Sequence, residues 1–265
     1  MSAASPLIAV FMAMLGVMTL AWVVQRALNN AGWVDVFWTF GTGGACATAA
    51  LWPGAANPAR QYLVAALALA WCLRLGLYVA TRVVSNHSED VRYAAARKDW
   101  GQAFQARMFW LAIVQAPAAA LLALSVFAAT HLNAGPLGAR DFLGVAILGI
   151  GIFGETLADE QMRRFKTRAK SGVINDQGLW SWSRHPNYFF EWVGWLAYPL
   201  IGFSPESAAS WLTLIAPALM YLLLRYATGV PALENTMLKS RGEAFRAYQA
   251  RVSAFIPLPP KRTPK

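Results

Sequence analysis

Charged residues are scarce in this chain. Asp, Glu, Lys and Arg together make up 14% of its 265 residues, whereas hydrophobic residues make up 57%. A typical soluble domain carries roughly 25% charged residues, which cover its surface with groups that water solvates well. The soluble globular class is therefore excluded, and the apolar surplus has to face lipid.

Cysteine is also scarce. Cys46 and Cys72 lie within long apolar stretches, without the spacing of a metal site or of a disulfide framework. We interpret them as small buried hydrophobic residues and predict no metal centre. The apolar N-terminal run lacks a basic leader and a convincing cleavage site, so we expect it to be a first spanning helix and not a removed signal peptide.

Seven apolar stretches have approximately the length that a helix needs to cross a bilayer, about 20 residues. Neither an internal repeat nor a low-complexity segment divides the chain. We therefore predict an all-α, multi-pass integral membrane protein that forms a single membrane domain over residues 1–265. The seven predicted spans are Pro6–Val24, Val34–Trp52, Tyr62–Val84, Phe109–Thr130, Phe142–Ala158, Tyr188–Phe203 and Ala209–Tyr226.

Lys and Arg are distributed unevenly among the segments that join these spans. With the N-terminus outside, the inside segments hold 20 of the 23 basic residues, the outside loops hold Arg60 and Arg140, and Arg74 lies within the third span. Since basic residues are retained on the cytoplasmic side, this split predicts an external N-terminus and a cytoplasmic C-terminus. The net charge of +10 then follows from topology, and we expect no nucleic-acid partner. The amphipathic tail from Pro231 onward is expected to fold back on the cytoplasmic face.

Asp35 lies inside the second predicted span and Arg74 inside the third. Because a charge in lipid is costly, each is a candidate functional group, and the alternative is an ion pair between them. The loop after the third span, from Arg82 to Tyr93, holds acids and bases and is cytoplasmic in the predicted topology. It is either an ordinary solvated loop or a cap over the same site.

The fifth span ends in charged residues whose helical spacing forms two groups. One face carries Glu155, Asp159 and Arg163 with Lys166 close to it, and Glu160 is spaced to pair with Arg164. Such a helix end is either an amphipathic surface held by salt bridges or a polar wall. A polar wall would bind a ribose through its carboxylates and a phosphate through its Arg or Lys.

The entrance to the sixth span brings five kinds of hydrogen-bonding side chain into eight residues. Pro186 suits the first helical turn, where its missing N–H costs nothing. Asn187 and Glu191 then lie one turn apart on one face, and the guanidinium of Arg184 suits an oxyanion such as phosphate. The alternative is an interfacial His185 beside an arginine that reaches the headgroups, but so many polar groups in one turn favour a ligand site.

Four motifs occur in order over nearly the whole chain, from Asp35 to Pro260. They are Glu-Asp-x-Arg-Tyr at 89–93, Glu-x-x-x-Asp at 155–159, the string Trp180–Trp192, and Ala-Phe-Ile-Pro at 254–257. Together they resemble the bacterial branch of the steroid 5α-reductase family. The Arg-His-Pro-Asn-Tyr core of the third motif also resembles sterol reductases and isoprenylcysteine carboxyl methyltransferases.

The resemblance implies a membrane enzyme that uses NADPH to reduce the C=C bond of a lipophilic enone, typically a 3-oxo-Δ4 steroid. It implies an active site open to the cytoplasm and most of the cofactor site in the C-terminal half, about 141–260. We expect a monomer in the bacterial inner membrane, although the sequence does not show the oligomeric state. The cofactor-binding candidates are Arg82, Arg92, Glu155, Asp159, Arg163, Lys166, Arg184, His185, Asn187, Tyr188 and Glu191.

The resemblance also implies where the substrate carbonyl binds. Asp35 falls about where relatives carry a glutamate that holds this carbonyl together with a tyrosine, and the counterpart of that tyrosine is Tyr78 or Arg74. A carboxylic acid in an apolar cavity can stay protonated and donate to an enolate oxygen, as we expect of Asp35. Phe190 departs from the family pattern, which has glycine before the residue that matches Glu191. The pocket is narrower if this side chain faces the cofactor, and nothing follows if it faces lipid.

Two other functional classes remain open. A membrane methyltransferase would use the same Arg-His-Pro-Asn-Tyr entrance, but S-adenosylmethionine carries no phosphates for the cytoplasmic Lys and Arg to bind. A transporter or lipid-binding protein without catalysis would distribute its acids along a path through the bilayer midplane, often with repeat symmetry. The acids of this chain concentrate at one membrane side instead.

Overall fold

The computed structural model describes residues 4–85, 89–168 and 172–261. Residues 86–88 of the predicted cytoplasmic loop lie outside this description, as do Lys170, Arg262 and Lys265 of the charge count. The described chain is helical, with an isolated bridge between Ser183 and Ser253. The helices are α1 (Ala4–Ala27), α2 (Gly32–Ala50), α3 (Pro58–Ser85), α4 (Val91–Trp100), α5 (Phe104–Ile113), α6 (Gln115–His131), α7 (Ala139–Arg168), α8 (Pro186–Trp195), α9 (Ala197–Gly202), α10 (Ile215–Leu222) and α11 (Val230–Arg251).

Five helical runs are long and apolar enough to cross a membrane. They contain the first, third, fourth, fifth and seventh predicted spans, which confirms the membrane class by length and composition. The second predicted span corresponds to α2, and the sixth is divided between α8 and α9, so neither is among the five. The count of seven and the orientation stay predictions. The five runs are Ser5–Ala27, Pro58–Ser85, Val91–His131, Ala139–Arg168 and Ala208–Arg251.

The chain divides into two compact units, of which unit 1 comprises Met1–Ala146 and Leu196–Leu219. Within it, α2 packs against α1, α3 and α6. The contact with α3 is close because small residues face it: a Cβ on Gly43 would overlap the side chain of Cys72. Cys46 and Cys72 are both buried, as the sequence predicted.

Unit 2 comprises Ile147–Trp195 and Met220–Lys265. Its C-terminal residues return along the segment that precedes α8, where Tyr248 donates to the Trp180 carbonyl and Ser183 donates to that of Phe255 at 2.8 Å. A small apolar core forms around Phe245 and Tyr248 of α11. The tail is thereby fixed against the polar entrance of α8. The prediction of one domain over 1–265 stays a prediction.

Candidate functional site

The first polar cluster lies in unit 1 and surrounds Asp35 of α2. Tyr93 Oη donates to Asp35 Oδ1 at 2.6 Å, and Arg92 Nη2 donates to Asp35 Oδ2 at 2.7 Å. Arg92 Nε also donates to Asp90 at 3.0 Å, and Arg82 Nη2 donates to Asp90 at 2.8 Å. We call these five residues the Asp35 cluster. Both oxygens of Asp35 therefore act as hydrogen-bond acceptors.

The cluster is positioned by the first turn of α4. Asp90 is the N-cap of this helix, and its carboxylate accepts from the backbone N–H of Arg92 at 2.9 Å. Burial acts to raise the pKa of Asp90, but Arg92 and Arg82 outweigh it and hold that pKa below its ordinary value. The cap thus stays ionised and presents the next residues of α4, Arg92 and Tyr93, to α2.

The tyrosine that contacts Asp35 is Tyr93, which the sequence did not single out as a candidate. Tyr78, the candidate named from the resemblance, lies 5.5 Å from the guanidinium of Arg74 and 6.0 Å from that of Arg82, measured to the ring centroid. The signal for Tyr93 was present in the Glu-Asp-x-Arg-Tyr motif, but the linear spacing from Asp35 gave no reason to join the two.

The second polar cluster lies in unit 2, where α7 and α8 carry several predicted cofactor residues. Glu155, Asp159 and Glu191 are each no more than 5% exposed. Asn187 Nδ2 donates to Asp159 Oδ1 at 3.4 Å, whereas its buried Oδ1 has no partner among the described residues. Trp195 donates to Glu191 at 3.0 Å. The structure therefore brings Asp159 and Asn187 together, as expected of a shared site.

The basic residues at the end of α7 have a different environment. Glu160 accepts from Arg163 at 2.6 Å and from Arg164 at 2.6 Å, which confirms the predicted pairing with Arg164 and adds a second partner. Arg163 and Lys166 are exposed side chains. These two residues are thus accessible to a ligand, whereas Asp159 is buried one turn before Arg163.

Arg184 is held inside unit 2 by four of its five N–H donors. Two of them bond Glu234 at 2.7 and 3.2 Å, and the others bond the carbonyls of Gln249 and Val252 at 3.1 and 2.5 Å. Glu234 also accepts from Gln249 at 2.7 Å. We call Arg184, His185, Glu234 and Gln249 the Arg184 network. The phosphate role of Arg184 stays a prediction, with one N–H left to offer.

His185 is buried within the same network. Its Nε2 lies 3.1 Å from Glu234 Oε1, and its ring stacks on Tyr188 with centroids 5.5 Å apart. Burial holds the pKa of His185 below its ordinary value, although Glu234 acts in the opposite direction. A neutral imidazole that donates from Nε2 to the carboxylate follows from this environment.

Phe190 packs against another helix of unit 2. A Cβ on Gly154 of α7 would lie within 2.5 Å of the Phe190 ring, and a Cβ on Gly151 would lie 2.9 Å from the Phe190 carbonyl oxygen. The ring therefore fills the space that Gly154 leaves. Phe190, at the position where the family pattern has glycine, is thus accommodated by Gly151 and Gly154 of α7.

The sequence matches the family described as Protein of unknown function (DUF1295) over residues 21–252. It is 26% identical over 222 residues to an uncharacterized protein of Schizosaccharomyces pombe, in an alignment that covers 75% of this chain and 63% of that protein. The chain thus spans less than two thirds of the length of this relative. No solved structure matches it.

Proposed function

We propose that this chain, which belongs to the DUF1295 family, is a membrane reductase that uses NADPH to saturate the C=C bond of a lipophilic enone. A 3-oxo-Δ4 steroid is the substrate class, as the resemblance to steroid 5α-reductases implies. The observation that carries the proposal is the contact of Tyr93 with Asp35, since a phenol on a carboxylate is a suitable donor for a carbonyl oxygen.

The Asp35 cluster holds the substrate carbonyl in this proposal. An enone oxygen that approaches the cluster takes the hydrogen bond of the Tyr93 hydroxyl in place of Asp35, which still accepts from Arg92. As the negative charge of the enolate collects on that oxygen, the same bond strengthens. Asp35 then positions Tyr93. This role differs from the one expected from the sequence, in which Asp35 was itself the protonated acid.

The polar residues of α7 and α8 in unit 2 fit NADPH. The buried Oδ1 of Asn187 has no donor among the described residues, and a carboxamide N–H would satisfy it. Asp159 and Glu191 are buried acceptors for hydroxyl or amide groups, and Arg163 and Lys166 are accessible to phosphates. When bound, NADPH would supply the hydride for the reduction and would leave as NADP⁺. The C=C π pair becomes the new bond between the α-carbon and the carbonyl carbon, and the C=O π pair moves to the oxygen. A proton from solvent then adds to the α-carbon and restores the carbonyl.

The proposal includes the finer topology. Seven spanning helices, an external N-terminus and a cytoplasmic C-terminus give the charge split of 20 to 2. In a bacterial inner membrane this arrangement lets the cofactor enter from the cytosol and the substrate enter from the lipid.

Thermal unfolding in detergent distinguishes the cofactors. A ligand that binds the folded state stabilises it by about 2.7 kcal/mol at 100 times its dissociation constant. We expect NADPH to raise the unfolding temperature and S-adenosylmethionine to leave it unchanged. Stabilisation by S-adenosylmethionine alone would overturn the reductase in favour of a methyltransferase.

The carbonyl site is tested by Tyr93→Phe, which removes the donor and keeps the ring. Removing one such donor costs roughly 10²–10³ in rate, so we expect a loss of about that size with unchanged NADPH stabilisation. Asp35→Asn should also slow reduction, because the amide no longer accepts from both Tyr93 and Arg92. Tyr78→Phe is the matched comparison, and a loss with that variant alone would assign the role to Tyr78.

A further inference from the structure

Unit 1 contains a second polar site at the other end of α3. A cavity of about 370 Å³ lies beside the segment that joins α6 to α7 and the segment that follows α9. The rise of α3 separates this end, near Arg60, from Arg82 of the Asp35 cluster by about 33 Å. The polar lining residues are Asn133, Arg140, Ser204, Glu206, Ser207 and Ser210.

The first wall of the cavity is fixed by Arg60, which is 1% exposed. Its five N–H donors are all used: two bond Asp141 at 2.8 and 3.1 Å, and three bond the carbonyls of Asn133, Gly135 and Pro136 at 2.6, 3.0 and 2.9 Å. Asp141 Oδ2 also accepts from the Gly138 N–H at 2.9 Å. The segment that carries Asn133 is therefore held in one conformation before any ligand binds.

The second wall is fixed by Ser210, which is 1% exposed. Its hydroxyl lies 2.5 Å from the Ser204 carbonyl oxygen and 2.7 Å from that of Ser207, and it accepts from the Ser204 N–H at 3.0 Å. These bonds fix the turn that carries Glu206. Buried side chains thus hold both segments that line the cavity, as in a preformed binding site.

The cavity presents two charges of opposite sign. Arg140 uses one N–H on the Phe203 carbonyl at 2.8 Å, and its other donors have no partner in the described chain. Glu206 forms no ion pair with any described residue. A ligand that carries both an anion and a cation offers a partner to each group, whereas a simple anion offers none to the carboxylate of Glu206.

Exposed apolar side chains follow in sequence on both segments that line the cavity. Phe142 and Leu143 follow Arg140 in α7 and are 64% and 49% exposed. Trp211 is 56% exposed and packs edge-on against Phe203 at 5.1 Å, and tryptophan is enriched where lipid meets water. The ligand that fits is therefore amphipathic, with its charged part in the cavity and its apolar part on the helix surface.

We propose that this cavity binds the headgroup of a phosphatidylethanolamine-type phospholipid. Arg140 binds the phosphate through its planar fork of donors, and Glu206 accepts from the primary ammonium. The acyl chains lie along Leu143, which is one turn after Arg140, and along Trp211, which packs against Phe203. A phosphocholine headgroup lacks the ammonium N–H that Glu206 requires, and a phosphatidylglycerol headgroup lacks the positive charge. The site is independent of the proposed reductase chemistry.

Binding of short-chain lipids to the detergent-purified chain tests this assignment by calorimetry. We expect phosphatidylethanolamine to bind at least tenfold more tightly than phosphatidylcholine or phosphatidylglycerol. Arg140→Gln should weaken binding of phosphatidylethanolamine and phosphatidylglycerol alike by about tenfold, and Glu206→Gln should weaken only phosphatidylethanolamine. Arg246→Gln and Glu243→Gln, an exposed pair on α11, are the matched controls and should change nothing.

Four outcomes overturn the proposal. If phosphatidylcholine binds as tightly as phosphatidylethanolamine, Glu206 does not recognise the ammonium group. If the α11 control variants lose as much affinity as the Arg140 and Glu206 variants, the lipid adsorbs non-specifically. If O-phosphoethanolamine, which lacks acyl chains, binds as tightly as the lipid, the ligand is a soluble zwitterion. If inorganic phosphate binds with the same affinity, the ligand is a simple anion. Unfolding temperatures without lipid verify that the exposed substitutions at Arg140 and Glu206 leave the fold intact.

Discussion

Replacing Gly154 with alanine probes the contact between α7 and the Phe190 ring. The new Cβ would lie within 2.5 Å of Cε1 of that ring, below any separation that real Cβ atoms adopt, so the ring has to move. Overpacking of this kind costs typically 1–3 kcal/mol, and the helical preference of alanine over glycine returns about 1 kcal/mol. We therefore expect Gly154→Ala to lower the free energy of unfolding by up to about 2 kcal/mol.

Two other glycines of α7 supply the controls. A Cβ on Gly149 would meet nothing within 4 Å, so Gly149→Ala should stabilise the protein by about 0.5–1 kcal/mol. A Cβ on Gly151 would lie 2.8 Å from the backbone N of Gly194 and 2.9 Å from the carbonyl oxygen of Phe190. Because backbone atoms cannot rotate away, Gly151→Ala should cost the most of the three.

The assay is denaturant unfolding of each variant in the same detergent, with and without Phe190→Ala. Truncating the ring should relieve Gly154→Ala, since the clash is with side-chain atoms, and should not relieve Gly151→Ala. The reasoning is refuted if Gly154→Ala is as stable as Gly149→Ala. It is equally refuted if Phe190→Ala gives no recovery of the Gly154→Ala variant.

Two further predictions concern buried charged and titratable groups. Burial holds the pKa of His185 below its ordinary 6.5, so the unfolded chain takes up a proton that the native state resists. The contribution of His185 to stability is therefore full above about pH 6.5 and decreases below it. The difference in the free energy of unfolding between about pH 5.5 and pH 7.5 should be smaller in His185→Gln than in the unsubstituted protein. Arg60→Gln leaves Asp141 buried without its guanidinium and should cost about 3–5 kcal/mol in denaturant unfolding. An unchanged midpoint in Arg60→Gln would contradict the role given to this pair.

Apolar length alone located most of the helices. The predicted third span, Tyr62–Val84, lies within α3, and the predicted fifth span, Phe142–Ala158, lies within α7. The sixth stretch contains Glu191 and Pro199, and its helix ends at Trp195 and begins again at Ala197. Hydrophobic periodicity indicates which faces of a helix are buried. It carries little information about where a helix is interrupted, because the interruption depends on the tertiary contacts of the backbone.

The contacts of the candidate sites were predictable only where they are local. Glu160 and Arg164 are four residues apart on one helix, and their pairing follows from helical geometry. Tyr93 is 58 residues from Asp35, and Glu234 is 50 residues from Arg184, so both contacts depend on tertiary folding. Asp35, Arg82 and Arg92 of the Asp35 cluster were therefore candidates from the sequence, whereas Tyr93 and its contact with Asp35 required the structure.

The hydrogen bonds of the arginines decide which of them can bind phosphate in the proposed reductase. Two donors of Arg184 bond Glu234, which is 12% exposed, so a phosphate gains only the one remaining N–H unless it breaks this buried pair at a cost of about 3–5 kcal/mol. Arg163 is 64% exposed in its pair with Glu160, and an exposed pair contributes little, so a phosphate can replace Glu160 at small cost. Since Lys166 is exposed on the same helix end, the phosphate contacts fall to α7. Arg184 instead stabilises the C-terminal tail against the entrance of α8, which keeps Asn187 facing Asp159.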